Sequence, residues 1–154
     1  MQTIQANPAD ISHLIPWIPD RTACLMWAGP SVNFPLKRKK LLKEIDYARD
    51  NSFCLIHNGR MIAFGQLLSK QDNRLHMARI IVDPGSRRHG YGRQICTDLI
   101  QIARERNKGT LTLNVYRDNL AGIRLYRELG FRKVQGKSTM ETIHMIQKLA
   151  RMEI

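Results

Sequence analysis

Long apolar runs are missing from this chain of 154 residues. No stretch approaches the ~18 consecutive apolar residues that indicate a membrane-spanning helix. The first ten residues also lack the basic start and the apolar segment of a signal peptide. We therefore exclude an apolar membrane span as an interpretation of the sequence, and we expect a cytoplasmic protein with no membrane partner.

Cysteine is scarce as well. Cys24, Cys54 and Cys96 are odd in number, and their spacing does not match that of a metal site. We expect three reduced, partly buried thiols, which is typical of a cytosolic protein, and no bound metal.

Acidic residues are few: 13 Asp and Glu stand against 25 Lys and Arg, which gives a formal net charge of +12. Such an excess is compatible with nucleic acid, an acidic membrane surface or an acidic substrate as partner. The basic residues are spread along the chain, apart from a tetrad at 37–40. This tetrad opens a predicted amphipathic helix, where a solvated face is its commonest explanation. Nucleic-acid binding is therefore an open but disfavoured alternative.

Length and composition indicate a single domain over residues 1–154, because 43% hydrophobic and 25% charged residues are ordinary for a soluble globular protein. Hydrophobic periodicity and turn residues predict an α+β fold with a mainly antiparallel central sheet flanked by helices. The segment 16–36 is broken by proline and glycine and is predicted to be irregular. The predicted strands cover residues 2–6, 53–56, 61–68, 75–82, 111–116, 131–134 and 139–148, and the predicted helices begin at residues 8, 37, 91 and 119.

Residues 75–103 join a strand to a helix through a glycine-containing loop. A strand ends at Val82, a turn follows, and apolar residues recur at helical spacing from Tyr91 onward. The first turn of a helix has unpaired N–H groups and carries partial positive charge. Because Gly90 and Gly92 lack Cβ atoms and arginines flank them, the loop favours a phosphate or pyrophosphate.

Two common phosphate-binding templates do not fit this loop. A dinucleotide fingerprint needs a third glycine, and a Walker A loop needs Gly-Lys followed by Ser or Thr; the chain has neither. The loop does resemble the acetyl-CoA loop of the GNAT superfamily, Gln/Arg-x-x-Gly-x-Gly/Ala after a strand that ends in Val-x-Pro. The matching residues are Val82, Pro84, Arg87, Gly90 and Gly92.

A second block strengthens the resemblance. GNAT proteins carry an Asn-x-x-Ala/Gly-x-x-x-Tyr-x-x-x-Gly-Phe block downstream, and this chain has Asn119, Gly122, Tyr126, Gly130 and Phe131 in that register. The resemblance implies a sheet that is splayed at the acetyl-CoA site. It also implies an N-acetyltransferase that moves an acetyl group from acetyl-CoA, as co-substrate, to a primary amine of a small molecule or peptide in a ternary complex. The oligomeric state is open between monomer and homodimer.

The resemblance also implies roles for individual residues. The backbone of Ile80 and Val82 would pair with the pantetheine arm, and Asn119 would cap a helix and reach the coenzyme. Tyr126 would be the general acid that returns a proton to the thiolate. The pyrophosphate would be held by Arg87, Arg88, His89, Gly90, Tyr91 and Gly92.

The general base is where this sequence departs from the family. Several branches place a Glu on one of two strands, where this chain has His76 and Asn114. Asn114 cannot take a proton, so His76 is the candidate base, placed by strand alternation on the face of Ile80 and Val82. An ordinary strand histidine, a water relay or an already neutral amine are the alternatives.

Trp27, Phe34 and Asn114 are the candidate substrate-binding residues. Trp27 and Phe34 stand in the segment that covers the acceptor site in the GNAT arrangement, although the tryptophan could equally anchor this segment to the core. The missing Glu and the high charge also leave an alternative function: a non-catalytic acyl-CoA-sensing or nucleic-acid-binding module on the same fold.

Overall fold

The computed structural model describes residues 1–150 of the chain. Three short 3-10 turns lie at Ile15–Trp17, Gly29–Ser31 and Pro84–Ser86. The helices and strands are, in chain order, β1 (Gln2–Gln5), α1 (Pro8–Leu14), α2 (Arg21–Ala28), α3 (Arg38–Glu44), β2 (Ser52–His57), β3 (Arg60–Lys70), β4 (Arg74–Val82), α4 (Tyr91–Glu105), β5 (Thr110–Tyr116), α5 (Leu120–Glu128), β6 (Arg132–Lys133) and β7 (Thr142–Lys148).

Within residues 1–150 the strands form one seven-stranded sheet in the order β1-β2-β3-β4-β5-β7-β6. The pairs β1/β2, β2/β3, β5/β7 and β6/β7 are antiparallel, whereas β4 and β5 are parallel. The predicted α+β class and the mainly antiparallel sheet are confirmed.

The parallel pairing of β4 with β5 is short. It joins Arg74 to Thr110, Leu75 to Leu111 and His76 to Thr112. Neither strand ends there, since β4 continues to Val82 and β5 to Tyr116. The ladder therefore stops while both strands go on, and the splay at the acetyl-CoA site stays a prediction.

The chain divides into two compact units. Unit 1 comprises Met1–Gln66 and Arg79–Cys96, and unit 2 comprises Leu67–Ala78 and the described residues from Thr97 onward. Strands β3 and β4 and helix α4 each contribute residues to both units. The single domain expected for residues 1–154 stays a prediction.

The core of unit 1 is a cluster of buried apolar side chains. Helix α1 begins at a capping box, in which the Asn7 side chain accepts from the Asp10 amide and the Asp10 side chain accepts from the Asn7 amide. This cap fixes the start of α1, so that the helix turns its apolar face inward. The buried members from the helices and their ends are Ile11, Leu14, Cys24, Leu41 and Ile45.

Arg79 interrupts β4 within unit 1. Its φ of 54° lies in the left-handed region, which a non-glycine residue seldom adopts inside a strand. Its Nη1 donates to Gln66 Oε1 at 2.8 Å and to the Ile45 carbonyl at 3.4 Å, and its own carbonyl accepts from Trp27 Nε1 at 2.9 Å. Burial lowers the pKa of Arg79. The side chains of Gln66 and Trp27 and the carbonyl of Ile45 thus hold this kink in place.

Unit 2 is organised by the alternation of β5. Leu111, Leu113 and Val115 are buried, and β5 pairs with β7 so that Leu113 lies opposite Met145 and Val115 opposite Ile143. Alternation buries one side of this antiparallel pair and leaves the intervening residues for the other side. Thr112, Asn114 and His144 belong to that second set by register.

Two predicted segments need correction. Residues 21–28 form α2, although 16–36 was expected to be irregular: Asp20 caps the helix by accepting from the Ala23 amide at 2.8 Å, and Gly29, with φ 68°, ends it. The helix that begins at residue 37 in the prediction was expected to cover 37–49, but α3 ends at Glu44, because Asp46 has a left-handed φ of 52°. In the segment 16–36, proline and glycine lie at the ends of α2 and do not prevent it from forming.

Gln66 provides a test of the Arg79 kink. It is fully buried and donates to the Ile45 carbonyl at 3.0 Å and to Ser52 Oγ at 3.1 Å, while it accepts from Arg79. The Gln66→Leu substitution removes the acceptor of a partly buried cation. We expect the free energy of unfolding, measured by urea denaturation, to fall by about 3 kcal/mol.

The control is the double variant Gln66→Leu/Arg79→Met. It removes the charge together with its acceptor, so part of the lost stability should return. A double variant no more stable than Gln66→Leu alone would show that the Arg79 side chain does not hold the kink.

Candidate functional site

The turn after β4 is fixed by Asp83. The Asp83 amide donates to the Ile62 carbonyl at 2.9 Å, its carbonyl accepts from the Ser86 amide at 2.8 Å, and its Oδ1 accepts from the Gly85 amide at 3.1 Å. Arg60 Nη2 lies 3.8 Å from Asp83 Oδ2 and donates to Ser86 Oγ at 3.3 Å. These contacts anchor the start of the predicted phosphate loop to β3.

The loop itself is open to solvent. Arg87, Arg88, His89 and Gly90 are all exposed. Arg88 and Gly90 have φ values of 66° and 81°, and the Gly90 carbonyl accepts from the Gln94 amide at 3.0 Å, so that α4 begins directly after the loop. A Cβ at Gly90 would meet no atom within 4 Å. The end of the predicted strand, the loop and the start of the predicted helix therefore all lie in unit 1.

Two side chains beside this loop, His57 and Arg60, were not found from the sequence. The Tyr91 ring lies 5.7 Å from that of His57 and 6.0 Å from that of His89. A cavity of about 310 Å³ is lined by His57, Arg60 and Tyr91, among others. His57 and Arg60 come from the β2–β3 hairpin, and only the tertiary fold brings that hairpin to the loop.

Three predicted site residues lie on β4. Ile80 and Val82 are half-buried, as is His76, whereas Met77 and Ile81 are buried. Buried and half-buried positions thus keep a period of two across the left-handed residue at position 79. The shared face of His76, Ile80 and Val82 stays a prediction, as do their roles.

Helix α5 in unit 2 carries the second motif block. Asn119 caps it, since Asn119 Oδ1 accepts from the Gly122 amide at 3.0 Å. Tyr126 is half-buried on α5, with its ring edge-on to Phe131 at a centroid distance of 6.1 Å. Gly130 has a φ of 102°, which lets the chain turn back after the helix. The predicted cap and helix are confirmed, while the coenzyme and proton roles stay predictions.

A polar pocket of about 640 Å³ opens in unit 2. It brings together two residues that the sequence singled out, His76 and Asn114. His76 Nδ1 lies 2.7 Å from Thr112 Oγ1, in the last pair of the parallel ladder. The lining of this pocket includes Arg74, His76, Thr112, Asn114, Lys137 and His144.

His144 is a further residue that sequence reasoning missed, in the polar pocket of unit 2. Its Nδ1 lies 2.7 Å from Asn114 Oδ1, and its ring is stacked on that of His76 at 6.4 Å with an angle of 11° between the planes. The pKa of His144 is lowered, first by burial and then by the charges of Lys137 and Arg74. Only the register of β7 on β5 could have revealed this contact.

Trp27 and Phe34 lie in unit 1. Both are partly buried against its apolar cluster, and the Trp27 indole donates to the Arg79 carbonyl. Phe34 also lines a cavity of about 250 Å³ together with Arg21 and Cys24. The structure thus shows the anchoring contacts that were the alternative for Trp27, and substrate binding by Trp27 and Phe34 stays a prediction.

The three thiols are free and buried. Burial raises the pKa of both Cys54 and Cys96 to about 12, and it also raises that of Cys24. In residues 1–150, no group of three His, Cys, Asp or Glu side chains is arranged to hold a metal ion. The same residues contain no helix with the length and hydropathy needed to cross a bilayer.

A match to the acetyltransferase (GNAT) family covers residues 20–131, which include the loop after β4 and the motif block on α5. The chain belongs to this family. The resemblance inferred from the two motifs is confirmed.

Curated relatives share part of the sequence. Ribosomal protein bS18-alanine N-acetyltransferase of Escherichia coli strain K12 is 39% identical over 80 residues, which are 52% of this chain and 53% of that protein. A UPF0039 protein of Schizosaccharomyces pombe is 29% identical over 76 residues, 49% of this chain and 50% of that protein. The chain thus spans about half the length of the curated relatives it matches.

Solved structures share the fold over nearly the whole chain. The ribosomal-protein-S18-alanine N-acetyltransferase of Escherichia coli superposes with a TM-score of 0.75 at 24% identity, covering 99% of this chain and 96% of that one. PaiA N-acetyltransferase of Thermoplasma acidophilum, in complex with coenzyme A, has a TM-score of 0.74 at 18% identity, covering 96% and 98%. At these identities the likeness concerns the fold.

The cap of α5 generates a paired stability test. Asn119→Ala should lower the free energy of unfolding by about 1 kcal/mol, because the cap is lost. Gly122→Ala should also destabilise, because a Cβ at residue 122 would lie 2.6 Å from Asn119 Nδ2 and displace the capping amide. Urea denaturation of both variants measures this.

The double variant is the control for alanine's own helix preference. In the Asn119→Ala background no amide is displaced, so Gly122→Ala should stabilise by roughly 0.5–1 kcal/mol. If Gly122→Ala stabilised equally in both backgrounds, the Asn119 side chain would not be the cap.

Proposed function

We propose that this protein is an N-acetyltransferase that moves an acetyl group from acetyl-CoA directly to a primary amine in a ternary complex. The observation that carries the proposal is the exposed loop Arg87–Gly90, which leads directly into α4 in a chain of the acetyltransferase family. Backbone N–H groups at such a helix start, with arginines beside them, suit a pyrophosphate.

The coenzyme would use groups from several elements. Residues 87–92 would hold the pyrophosphate, and the backbone of Ile80 and Val82 would pair with the pantetheine arm. The short ladder between β4 and β5 supports this role for β4, because strand backbone outside a ladder needs other hydrogen-bond partners. Asn119 would reach the coenzyme in addition to capping α5.

Acetyl transfer from a thioester to an amine requires the protein to supply and to remove protons, and it requires no covalent intermediate with the protein. The neutral amine attacks the thioester carbonyl, a C–N bond forms, and the C–S bond then breaks. Tyr126 would give its proton to the departing thiolate, since a phenol with a reference pKa near ~10 is protonated at neutral pH. His76 is the base predicted from the sequence, and its position in the polar pocket of unit 2 supports a role near the acceptor.

The acceptor would be an amine that is not itself a polycation. A formal charge of +12 repels polyamines during encounter and favours an amine that carries a carboxylate, or an acidic peptide. The relatives named as ribosomal protein bS18-alanine N-acetyltransferases support a peptide amine as one form of acceptor. Cytoplasmic localisation and a monomeric or homodimeric state stay predictions, and nucleic-acid binding stays an open but disfavoured alternative.

Turnover tests the proposal. Purified protein is incubated with acetyl-CoA and a panel of small amines and peptides, and the release of coenzyme A is followed by liquid chromatography. We expect turnover with at least one acceptor, and we expect Tyr126→Phe to lower kcat by about 10²-fold with little change in the KM for acetyl-CoA, because the proton donor is lost.

Two results would contradict the proposal. Failure of acetyl-CoA to raise the melting temperature, together with no turnover on the whole panel, would exclude the activity. A raised melting temperature without turnover on any acceptor would favour the acyl-CoA-sensing alternative instead.

The loop generates a binding test with a matched control. Gly90→Ala puts a Cβ on a residue with φ 81° in the predicted pyrophosphate site, and Gly136→Ala does the same at φ 83°, also without a neighbouring atom within 4 Å. Both should lose a similar stability of about 1 kcal/mol, because alanine is strained at positive φ. Only Gly90→Ala should weaken coenzyme A binding, measured by calorimetry, by about tenfold or more. Equal affinities of the two variants would remove the loop from the coenzyme site.

A further inference from the structure

In the polar pocket of unit 2, the hydrogen bond of one imidazole identifies which of its ring nitrogens carries the N–H hydrogen. His144 Nδ1 lies 2.7 Å from Asn114 Oδ1. A carboxamide oxygen only accepts hydrogen bonds, so Nδ1 must carry the hydrogen. In the neutral ring the lone pair then sits on Nε2. His76 differs, because its partner is the Thr112 hydroxyl, which can donate or accept.

The charges around His144 favour its neutral form. Strand β4 supplies Arg74 and His76, the connection between β6 and β7 supplies Lys137, the end of β3 supplies Lys70, and the turn after it supplies Asp72. Strand β5 contributes the uncharged Asn114. Burial, and after it the charges of Lys137 and Arg74, lower the pKa of His144 below its ordinary value of 6.5. The ring is therefore neutral at pH 7 and able to take a proton.

We infer that this pocket receives the acceptor amine and that Nε2 of His144, oriented by Asn114, takes the proton that the amine loses. The inference rests on the proposed acetyl transfer. The amine nitrogen forms a bond to the acetyl carbon, its N–H proton passes to Nε2, and the C–S bond breaks to leave a thiolate that is protonated to coenzyme A. The imidazolium then returns its proton to water.

This assignment accounts for the departure at residue 114. Asn114 cannot act as a base itself, but its oxygen fixes the tautomer of a histidine on the neighbouring strand β7. The proton acceptor would thus lie on β7, one strand away from the position on β5 where other branches of the family carry a Glu. The surrounding cations act on the substrate as well, because they lower the pKa of an amine in the pocket and so favour its reactive neutral form.

The test compares kcat and KM as functions of pH for the wild-type protein and the His144→Gln variant, with acetyl-CoA and the best acceptor of the panel. We expect His144→Gln to lower kcat by about 10²-fold and to abolish the acidic limb of the profile, while the KM for acetyl-CoA changes by less than about twofold. His13→Gln, an exposed histidine on α1, is the control and should leave both constants unchanged.

A second variant keeps the inference testable if His144→Gln folds poorly. Asn114→Asp places a carboxylate against Nδ1, which favours the imidazolium and raises the pKa of His144. The acidic limb should therefore move to higher pH. Nitrogen-15 NMR of the imidazoles reports independently of turnover, and it should show a hydrogen on Nδ1 of His144 in the neutral wild-type protein.

The outcomes separate the two proposals. Wild-type turnover with an unaffected rate and acidic limb in His144→Gln overturns the inference alone, and so does a hydrogen on Nε2. If His76→Gln rather than His144→Gln removes the limb, His76 is the base and the inference is wrong. Absence of wild-type turnover refutes the proposed function, and this inference with it.

Discussion

The left-handed backbone of Arg79 is the constraint on which the arrangement of unit 1 depends. A non-glycine residue at φ 54° inside a strand costs of order 1 kcal/mol or more, so other contacts must over-determine it. Gln66 from β3, the carbonyl of Ile45 after α3 and the indole of Trp27 on α2 all bond to this one residue. The kink therefore ties two helices to the sheet just before β4 delivers Ile80 and Val82 to the loop.

In unit 2, strand register determines which polar side chains meet in the pocket. Residues on one side of β5 alternate with its apolar core, so Thr112 and Asn114 stand beside His76 on β4 and His144 on β7. Burial, and after it the charges of Lys137 and Arg74, lower the pKa of His144 in this pocket. The excess of basic residues, which suggested nucleic acid when considered alone, thus includes two cations that act on this imidazole.

Local signals predicted much of the fold. The strand ending in Val82, the helix from Tyr91 and the cap at Asn119 are each encoded within a few residues. What could not be predicted is non-local. The kink at Arg79 depends on Gln66, thirteen residues earlier, and the contact of His144 with Asn114 spans thirty residues and requires the β5–β7 register. Helix α2 was missed because its prolines and glycine lie just outside it.

The burial of Cys24, Cys54 and Cys96 has a practical consequence. Thiolates attack aromatic disulfide reagents and release a coloured aromatic thiolate, but thiols whose pKa is raised to about 12, such as Cys54 and Cys96, supply almost no thiolate at neutral pH. The folded chain should therefore give no colour with such a reagent. Any colour that develops during catalysis would come from the thiol of released coenzyme A. Denaturant would expose three sulfhydryls per chain, so the same dye would count unfolded molecules directly.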